Sequence, residues 1–460
     1  MDYNKVDVLL IKAGNTKYER PILGLEFLKE YMLKNGVSCS IDNFRDDPKM
    51  MIYPKVVGLS GFPEDIYDIK EYSKVIKNAN PGIYVIVGGQ VSIFHEELLK
   101  NEYIDAICWG EGEETLLEYV LAIKNNESTS KIKGIYQRNS NFSKRNPIDI
   151  NNAVTPLFYG ENLNSIVQLS TMRGCNGNCS FCEAKYFNQG LRGMNANTVI
   201  NWIDKLIKYH KNLSRIQFMD DNFMSDPIRA EKILEYLSEN NLKALFLSRA
   251  DSVVENESIF KDYCKSIEEV SIGIESFSQS QLNRWNKKTT VKDNNKSLSI
   301  LKNSEICTNS FIILSDAKTT LRELEEQIRG IKNAPPTRYK NHDFPFGLKN
   351  YSLFTVLRTK LDGEKTRYYE IMNLEHLFKP HKFLEETEWM MMRAFNASVM
   401  NDNDRIIHEN NIMANSRMDI YLNGVKYLME GKEGLFNIEK NLFKRDFYRR
   451  AQITPIREPL

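Results

Sequence analysis

The stretch Cys175-Asn-Gly-Asn-Cys179-Ser-Phe-Cys182 puts three thiols in one short loop at CxxxCxxC spacing. Thiolates are soft ligands that select zinc or iron–sulfur clusters. A site closed by protein alone, such as structural zinc, normally takes four ligands, and no fourth cysteine lies close enough in sequence to complete such a set. An iron–sulfur cluster held by three thiolates keeps one iron open, free to bind a substrate or cofactor. The competing reading is three buried or zinc-bound cysteines. The other four cysteines, Cys39, Cys108, Cys264 and Cys307, are scattered singly and suit core packing. Neither the segment before the loop nor the one after it has ligands for a second cluster.

The elements that must position this loop follow from the rest of the chain. Its 460 residues allow two or three domains. The formal net charge of +1 gives no global field toward nucleic acid or a membrane surface. No apolar run is long enough to span a bilayer, and the N-terminal MDYNKVDVLLIKAG reads as a strand rather than a signal peptide. A reducing, cytoplasmic setting is the default expectation.

Residues 1–126 alternate strand and helix patterns. Strands are expected at Val6–Ala13, Val37–Asn43, Val56–Ser60, Ile83–Val87 and Ala106–Trp109. Helices are expected at Ile22–Asn35, stopped by Gly36, at Glu64–Asn78, stopped by Asn80-Pro81, and at Glu113–Lys124. This alternation implies a parallel, doubly wound Rossmann-like sheet, which binds ligands at the carboxyl ends of its strands. The first strand-to-helix turn, Gly14 to Gly24, is not GxGxxG, which argues against a dinucleotide. Residues 127–160 are polar and read as a linker with a small β element at Ile132–Gln137. Residues 161–333 form a second α/β core, with strands at Ile166–Ser170, Arg215–Met219, Ala244–Ser248, Glu269–Ile274 and Asn309–Leu314. A sixth strand is expected at Tyr351–Val356. Polar residues cluster just after these strands, the active face of a (β/α) barrel. Residues 334–460 hold the last barrel strand and a mainly helical region assigned to substrate recognition. There the run Glu388–Met392 with Phe395, Tyr421 and Tyr427 reads first as helix core. His376, His381 and His408 read as surface or core residues, and the ending with Lys444, Arg445, Arg449 and Arg450 as a solvated basic segment.

The cysteine spacing, with Phe181 just before the third thiol, resembles the radical S-adenosylmethionine (SAM) superfamily. The resemblance implies a 4Fe–4S cluster on Cys175, Cys179 and Cys182, its open iron chelated by SAM, and a partial (β/α)6 barrel. It places Phe181 against the adenine, and Asp220 and Asp221 at the SAM amino end. Ser248 and Arg249 fall at the methionine carboxylate, and Glu275 at the ribose or methionine end. The fifth-strand glycine motif of that superfamily is not clear in Phe311–Ala317.

The N-terminal order of elements, with Ser60-Gly61, Gly88-Gly89 and Gly110-Glu111-Gly112 after successive strands, resembles the cobalamin-binding domain ahead of many radical SAM cores. It implies that Ser60, Gly88, Gly89, Gly110, Glu111 and Gly112 face the corrin. The DxHxxG motif that supplies a cobalt ligand is absent, and His95 stands elsewhere, as a helix-start surface residue. The lower face of the cobalt would then be free, bound to water, or shielded by first-turn side chains such as Tyr18 or Arg20.

Together these features resemble the class B radical SAM methyltransferases. The implied activity is methylation of an unactivated carbon through a 5′-deoxyadenosyl radical and methylcobalamin, in a sealed cavity between the two domains. The alternative is a cyclase, oxidase or rearrangement enzyme with the same domains. A noncatalytic cluster- and cobalamin-holding sensor is the reading from a different class. The expected partners are a small-molecule or peptide substrate and an electron donor such as flavodoxin or ferredoxin. The lack of upstream cysteines argues against a methylthiotransferase-like enzyme.

Anaerobic reconstitution is expected to give a brown protein with about four irons per chain. Cys179→Ala should lose both the colour and SAM cleavage. A Cys179→Ala protein that still cleaves SAM would refute the cluster assignment.

Overall fold

A computed structural model describes residues 5–14, 22–43, 54–62, 65–154, 156, 158, 165–182, 190–313 and 321–335, with the backbone of 351–358 and 367–369. The chain divides into two compact units, Met1–Gly174 with Ala184–Asp220, and Cys175–Glu183 with Asp221–Leu460.

The first unit is built on strands β1 (Val8–Lys12), β2 (Cys39–Asn43), β3 (Val56–Ser60), β4 (Tyr84–Gly88), β5 (Ala106–Cys108) and β6 (Ile135–Tyr136). Their order in the sheet is β2-β1-β3-β4-β5-β6. All neighbours are parallel except β5 and β6. Strand β1 lies between β2 and β3, so the winding reverses there. That crevice at the carboxyl ends is where doubly wound sheets take ligands.

Continuous burial, not alternation, marks the strands of a parallel sheet covered on both faces. Every residue of β1 is buried. Val8 and Leu10 pack with Met32, Tyr119 and Ile123 from the helices Leu23–Lys34 and Glu113–Lys124. Gly36 ends the first helix at φ +73°, a left-handed conformation that costs glycine little. The segment expected as a linker contributes more than that. Its small β element is β6, an antiparallel edge strand on β5. His95, expected at the surface, is half-buried and stacks on Tyr136 of β6 with ring centroids 3.9 Å apart.

The same unit also holds β7 (Ile166–Leu169), the short antiparallel pair β8 (Met172–Arg173) and β9 (Arg192–Gly193), the helix Ala196–Tyr209, and β10 (Arg215–Phe218), parallel to β7. Side chains explain this grouping. Trp202 of that helix meets Phe27 at 5.8 Å between centroids. Glu111 accepts from Arg173 at 2.9 Å, from Arg192, and from the Ile148 backbone N–H at 2.9 Å, and Arg173 also pairs with Glu113. Burial alone would raise the Glu111 carboxyl, but the two guanidiniums outweigh it and hold the group below the usual carboxylate range.

The second unit carries β11 (Lys243–Arg249), β12 (Ile267–Glu275), β13 (Cys307–Ile313) and β14 (Tyr351–Arg358), parallel in sequence order, with β15 (Arg367–Tyr369) antiparallel on β14. Helices separate the parallel strands, as the alternating pattern requires. Their starts are chemically marked. Asp226 caps Pro227–Glu239 by accepting from the Arg229 N–H at 3.0 Å, with Pro227 in the first turn. Thr290 and Asp293 form a reciprocal capping box on Val291–Asn303. The six parallel strands expected of the barrel are thus all present. The expected Tyr351–Val356 runs two residues longer, to Arg358.

Among the described residues no helix is long and apolar enough to cross a membrane. Tyr18, Arg20, residues 314–317 of the fifth-strand segment, the 388–392 run, Phe395, Tyr421, Tyr427, His376, His381, His408 and the basic ending lie outside the described residues.

Lys12, the last residue of β1, is buried and pairs with Asp65, with Phe62 beneath it at 4.6 Å from ring centroid to Nζ. Removing one partner of a buried pair strands the other charge, at about 3–5 kcal/mol. Asp65→Ala should therefore lower the unfolding free energy measured by urea titration by about 3–5 kcal/mol. A loss under about 1 kcal/mol would mean that the pair does not hold the strand end. Glu111 makes stability depend on pH. Its folded carboxyl titrates below its unfolded value of about 4.3, so its stabilisation is complete above that value and is lost as pH falls through the folded one. The stability difference between Glu111→Gln and wild type should accordingly be full at pH 7 and shrink below about pH 4.

Candidate active site

The cysteine loop is held from one side by a segment that the sequence did not mark. The Ser180 N–H donates to the Trp285 carbonyl at 2.8 Å, and Asn286 Nδ2 donates to the Asn178 carbonyl at 2.7 Å. Trp285 closes the short helix Gln279–Arg284 and is fully buried. Its ring meets Phe181 edge-on, at 6.1 Å and 84°. Cys179, Phe181, Trp285 and Ile313 pack as one apolar cluster, with Cys182 against it. Cys179 is buried, while Cys175 and Cys182 are half-buried.

Positive groups face these sulfurs. Arg249, the last residue of β11, points Nη1 at Cys179 Sγ, 3.5 Å away. Its other donors are fixed: Nε and Nη2 go to Asp251 at 2.9 and 2.7 Å, and Nη2 also to the Lys287 carbonyl at 2.6 Å. Burial works against the guanidinium charge, but the hydrogen bonds and charge of Asp251 outweigh it and raise its affinity for the proton. Lys287 is buried and pairs with Glu275 at 3.0 Å. Burial opposes its charge too, yet the Glu275 carboxylate keeps the ammonium above its ordinary value. The Gly177 N–H donates to Cys175 Sγ at 3.3 Å, although burial pushes that thiol up overall.

This donor set fits an anionic iron–sulfur cluster. Thiolates in a low-dielectric loop need nearby cations and N–H groups, and both are present. No three His, Cys, Asp or Glu side chains among the described residues converge as one metal ion would need. A 4Fe–4S cluster makes a different demand, since each thiolate takes a separate iron.

Several residues expected to touch a cofactor have partners within the protein. Asp220 is fully buried, and its two oxygens accept from the Thr171 N–H and hydroxyl, both at 2.6 Å, and from the Met172 N–H at 2.8 Å. It fastens the end of β10 to the turn after β7. Asp221 beside it is exposed. Ser248 is buried and donates to the Arg249 carbonyl at 3.2 Å. Arg249 faces the cysteine loop, with its fork held by Asp251. Glu275 sits at φ +60°, where β12 shifts register against β13. A left-handed glutamate at a β-irregularity is a strained position of the kind found at functional sites.

In the first unit the predicted glycines lie at the carboxyl ends of the strands. Ser60 of β3 stands opposite Gly88 of β4. Gly89 has φ +81°, and a Cβ there would come within 2.8 Å of the Gly61 carbonyl and 2.9 Å of Ser60 Oγ, so two strand-end loops touch backbone to backbone. Gly110 has φ +85°, and Gly112 precedes the helix Glu113–Lys124. Glu111 between them pairs with Arg173 and Arg192.

Sequence reasoning missed Trp285, Lys287, Asn222 and Gly177. Asn222 bonds the Arg249 N–H at 3.3 Å and Asn176 at 3.3 Å. Its place beside the Asp220-Asp221 pair was a usable signal, as was a glycine inside a ligand loop. Nothing local marks Lys287.

Residues 14–120 match the family model of the B12 binding domain, and residues 169–333 that of the radical SAM superfamily. The chain is 25% identical over 308 residues to an anaerobic magnesium-protoporphyrin IX monomethyl ester cyclase of Rubrivivax gelatinosus, covering 62% of this chain and 55% of that protein. It is 26% identical over 264 residues to an uncharacterized methyltransferase of Pyrococcus horikoshii, covering 52% of this chain and 57% of that protein. The chain thus spans about half the length of the curated relatives it matches. Its fold is similar to that of the cobalamin-dependent SAM radical enzyme OxsB with aqua-cobalamin bound. That match has a TM-score of 0.70 at 18% identity and covers 96% of this chain and 75% of that one. The radical SAM methyltransferase TsrM of Kitasatospora setae, solved with tryptophan and a SAM analogue, gives 0.59 at 16% identity, covering 97% and 99%. One polypeptide thus carries both a B12 binding domain and a domain of the radical SAM superfamily, and the cofactors of these domains are cobalamin, a 4Fe–4S cluster and SAM.

Proposed function

We propose that this protein methylates an unactivated carbon of a small-molecule or peptide substrate. The observation that carries the reading is the pairing on one chain of a B12 binding domain with a radical SAM domain. Named methyltransferases of two further kinds support it: TsrM, and a cytidylyl-2-hydroxyethylphosphonate methyltransferase of Streptomyces wedmorensis, 22% identical over 234 residues. When bound, the cofactors supply reductive cleavage of a sulfonium and carriage of a methyl group, chemistry beyond acid–base side chains.

The chain's own residues bind and orient. Cys175, Cys179 and Cys182 would hold the cluster, and Phe181, seated on Trp285, offers an aromatic edge beside them. The exposed Asp221 is the carboxylate suited to an ammonium, and Ser248 and Glu275 supply polar groups at the ends of β11 and β12. Ser60, Gly88, Gly89, Gly110 and Gly112 leave the strand ends of the first unit low enough for a large planar ligand. A flavodoxin- or ferredoxin-class protein would supply electrons.

The cyclase relatives and a 4′-phospho-dehydrooxetanocin synthase of Priestia megaterium, 27% identical over 279 residues, favour a second reading in which no methyl is transferred. The two differ in their products. With methyl-labelled SAM, a reductant and pooled candidate substrates, methylation should release S-adenosylhomocysteine and 5′-deoxyadenosine in equal amounts and label the product. Deoxyadenosine alone, with no label transferred, would reject methylation in favour of the second reading.

A further inference from the structure

We infer that Arg249 is a positioning residue for the cluster: a guanidinium built to donate an N–H to the Cys179 thiolate and so to favour the reduced state. Three observations on one unit converge. The first is the approach itself, Nη1 to Sγ at 3.5 Å, between buried partners. The second is that the guanidinium has no freedom to leave. Asp251 takes Nε and Nη2, the Lys287 carbonyl takes Nη2 as well, and Asn222 fixes the backbone N–H. The third lies in the loop. A Cβ on Gly177 would stand 2.6 Å from Nη1 and 3.5 Å from Cys175 Sγ. A side chain there would push the guanidinium off the sulfurs, so the glycine is what lets the cation approach.

The consequence is electrostatic. Reduction by one electron, taken from a flavodoxin- or ferredoxin-class donor, adds one negative charge to the cluster that the thiolates hold. Hydrogen bonds to sulfur and nearby positive charge stabilise that added charge and raise the potential. The effect is strongest where water is excluded. Arginine suits the task better than lysine, because its fork holds Asp251 and the Lys287 carbonyl while a third nitrogen reaches the sulfur. Asp251 has the complementary part: it orients the fork without touching the cysteine loop's sulfurs.

The test is a potentiometric titration of the reconstituted protein, followed by electron paramagnetic resonance without SAM, for wild type, Arg249→Lys and Gly177→Ala. Iron content and far-ultraviolet circular dichroism are checked in each. Both variants should keep about four irons. Their reduction equilibrium should shift about tenfold toward the oxidised state, about 59 mV for one electron. Gly177→Ala keeps the charge and moves only the geometry, so its shift separates a positioned donor from a remote cation. An unchanged potential in a fully loaded variant overturns the inference. Should a variant fail to load, wild type decides: protein carrying guanidino-15N arginine should show a weak 15N coupling in the pulsed spectrum of the reduced cluster. Its absence likewise overturns the inference.

Discussion

Charge compensation in a dry loop is the constraint on which the second unit depends. Of three thiols that must ionise to hold iron, Cys179 and Cys182 sit against Phe181 and Trp285, where water is scarce. An isolated anion there would be costly. The neighbouring Arg249 and Lys287 meet that cost, and each is itself balanced by a carboxylate, Asp251 and Glu275. The result is an alternation of sign from Asp251 through Arg249 to the sulfurs. Removing any one member leaves a buried charge without its counterpart, which is why such networks are all-or-none.

The same economy governs the first unit. Lys12 with Asp65, and Glu111 with Arg173 and Arg192, place ion pairs at strand ends where loops must be held for a ligand. Gly14 shows how tight that packing is, since a Cβ there would overlap the Asp65 carboxylate. Binding clefts at the carboxyl ends of strands expose backbone groups and carry few apolar contacts. Rigid polar ties hold what hydrophobic packing cannot. Below this layer the strands themselves are held by the buried aliphatic core around β1.

Charged groups at strand ends show how much the fold adds to a residue-level expectation. Asp220, Glu111 and Arg249 all stand after strands, where ligand contacts are expected, and all are committed to other protein groups. A strand-end carboxylate satisfies a backbone N–H as readily as it satisfies a substrate ammonium. Local sequence is identical in the two cases. Which one holds depends on how far the next loop folds back, as Thr171 and Met172 do onto Asp220. Lys287 was invisible for the converse reason. A single lysine after a helix reads as solvated, and only the fold places it beside Glu275 in the interior.

By itself, the amino-acid sequence determined the elements and the chemistry class. Apolar, β-branched runs mark β1 to β5, β7 and β10 to β14. Three thiols at fixed spacing name the loop, because ligand spacing within eight residues is a local property. Tertiary structure alone decided the partners. It made β6 an edge strand rather than part of a linker, joined Arg173 and Arg192 to Glu111, and brought Arg249 and Lys287 to the cysteines across 70 or more residues. The physical reason is one of range. Backbone periodicity and ligand spacing are written along the chain, whereas charge compensation acts through space between residues whose separation in sequence carries no information.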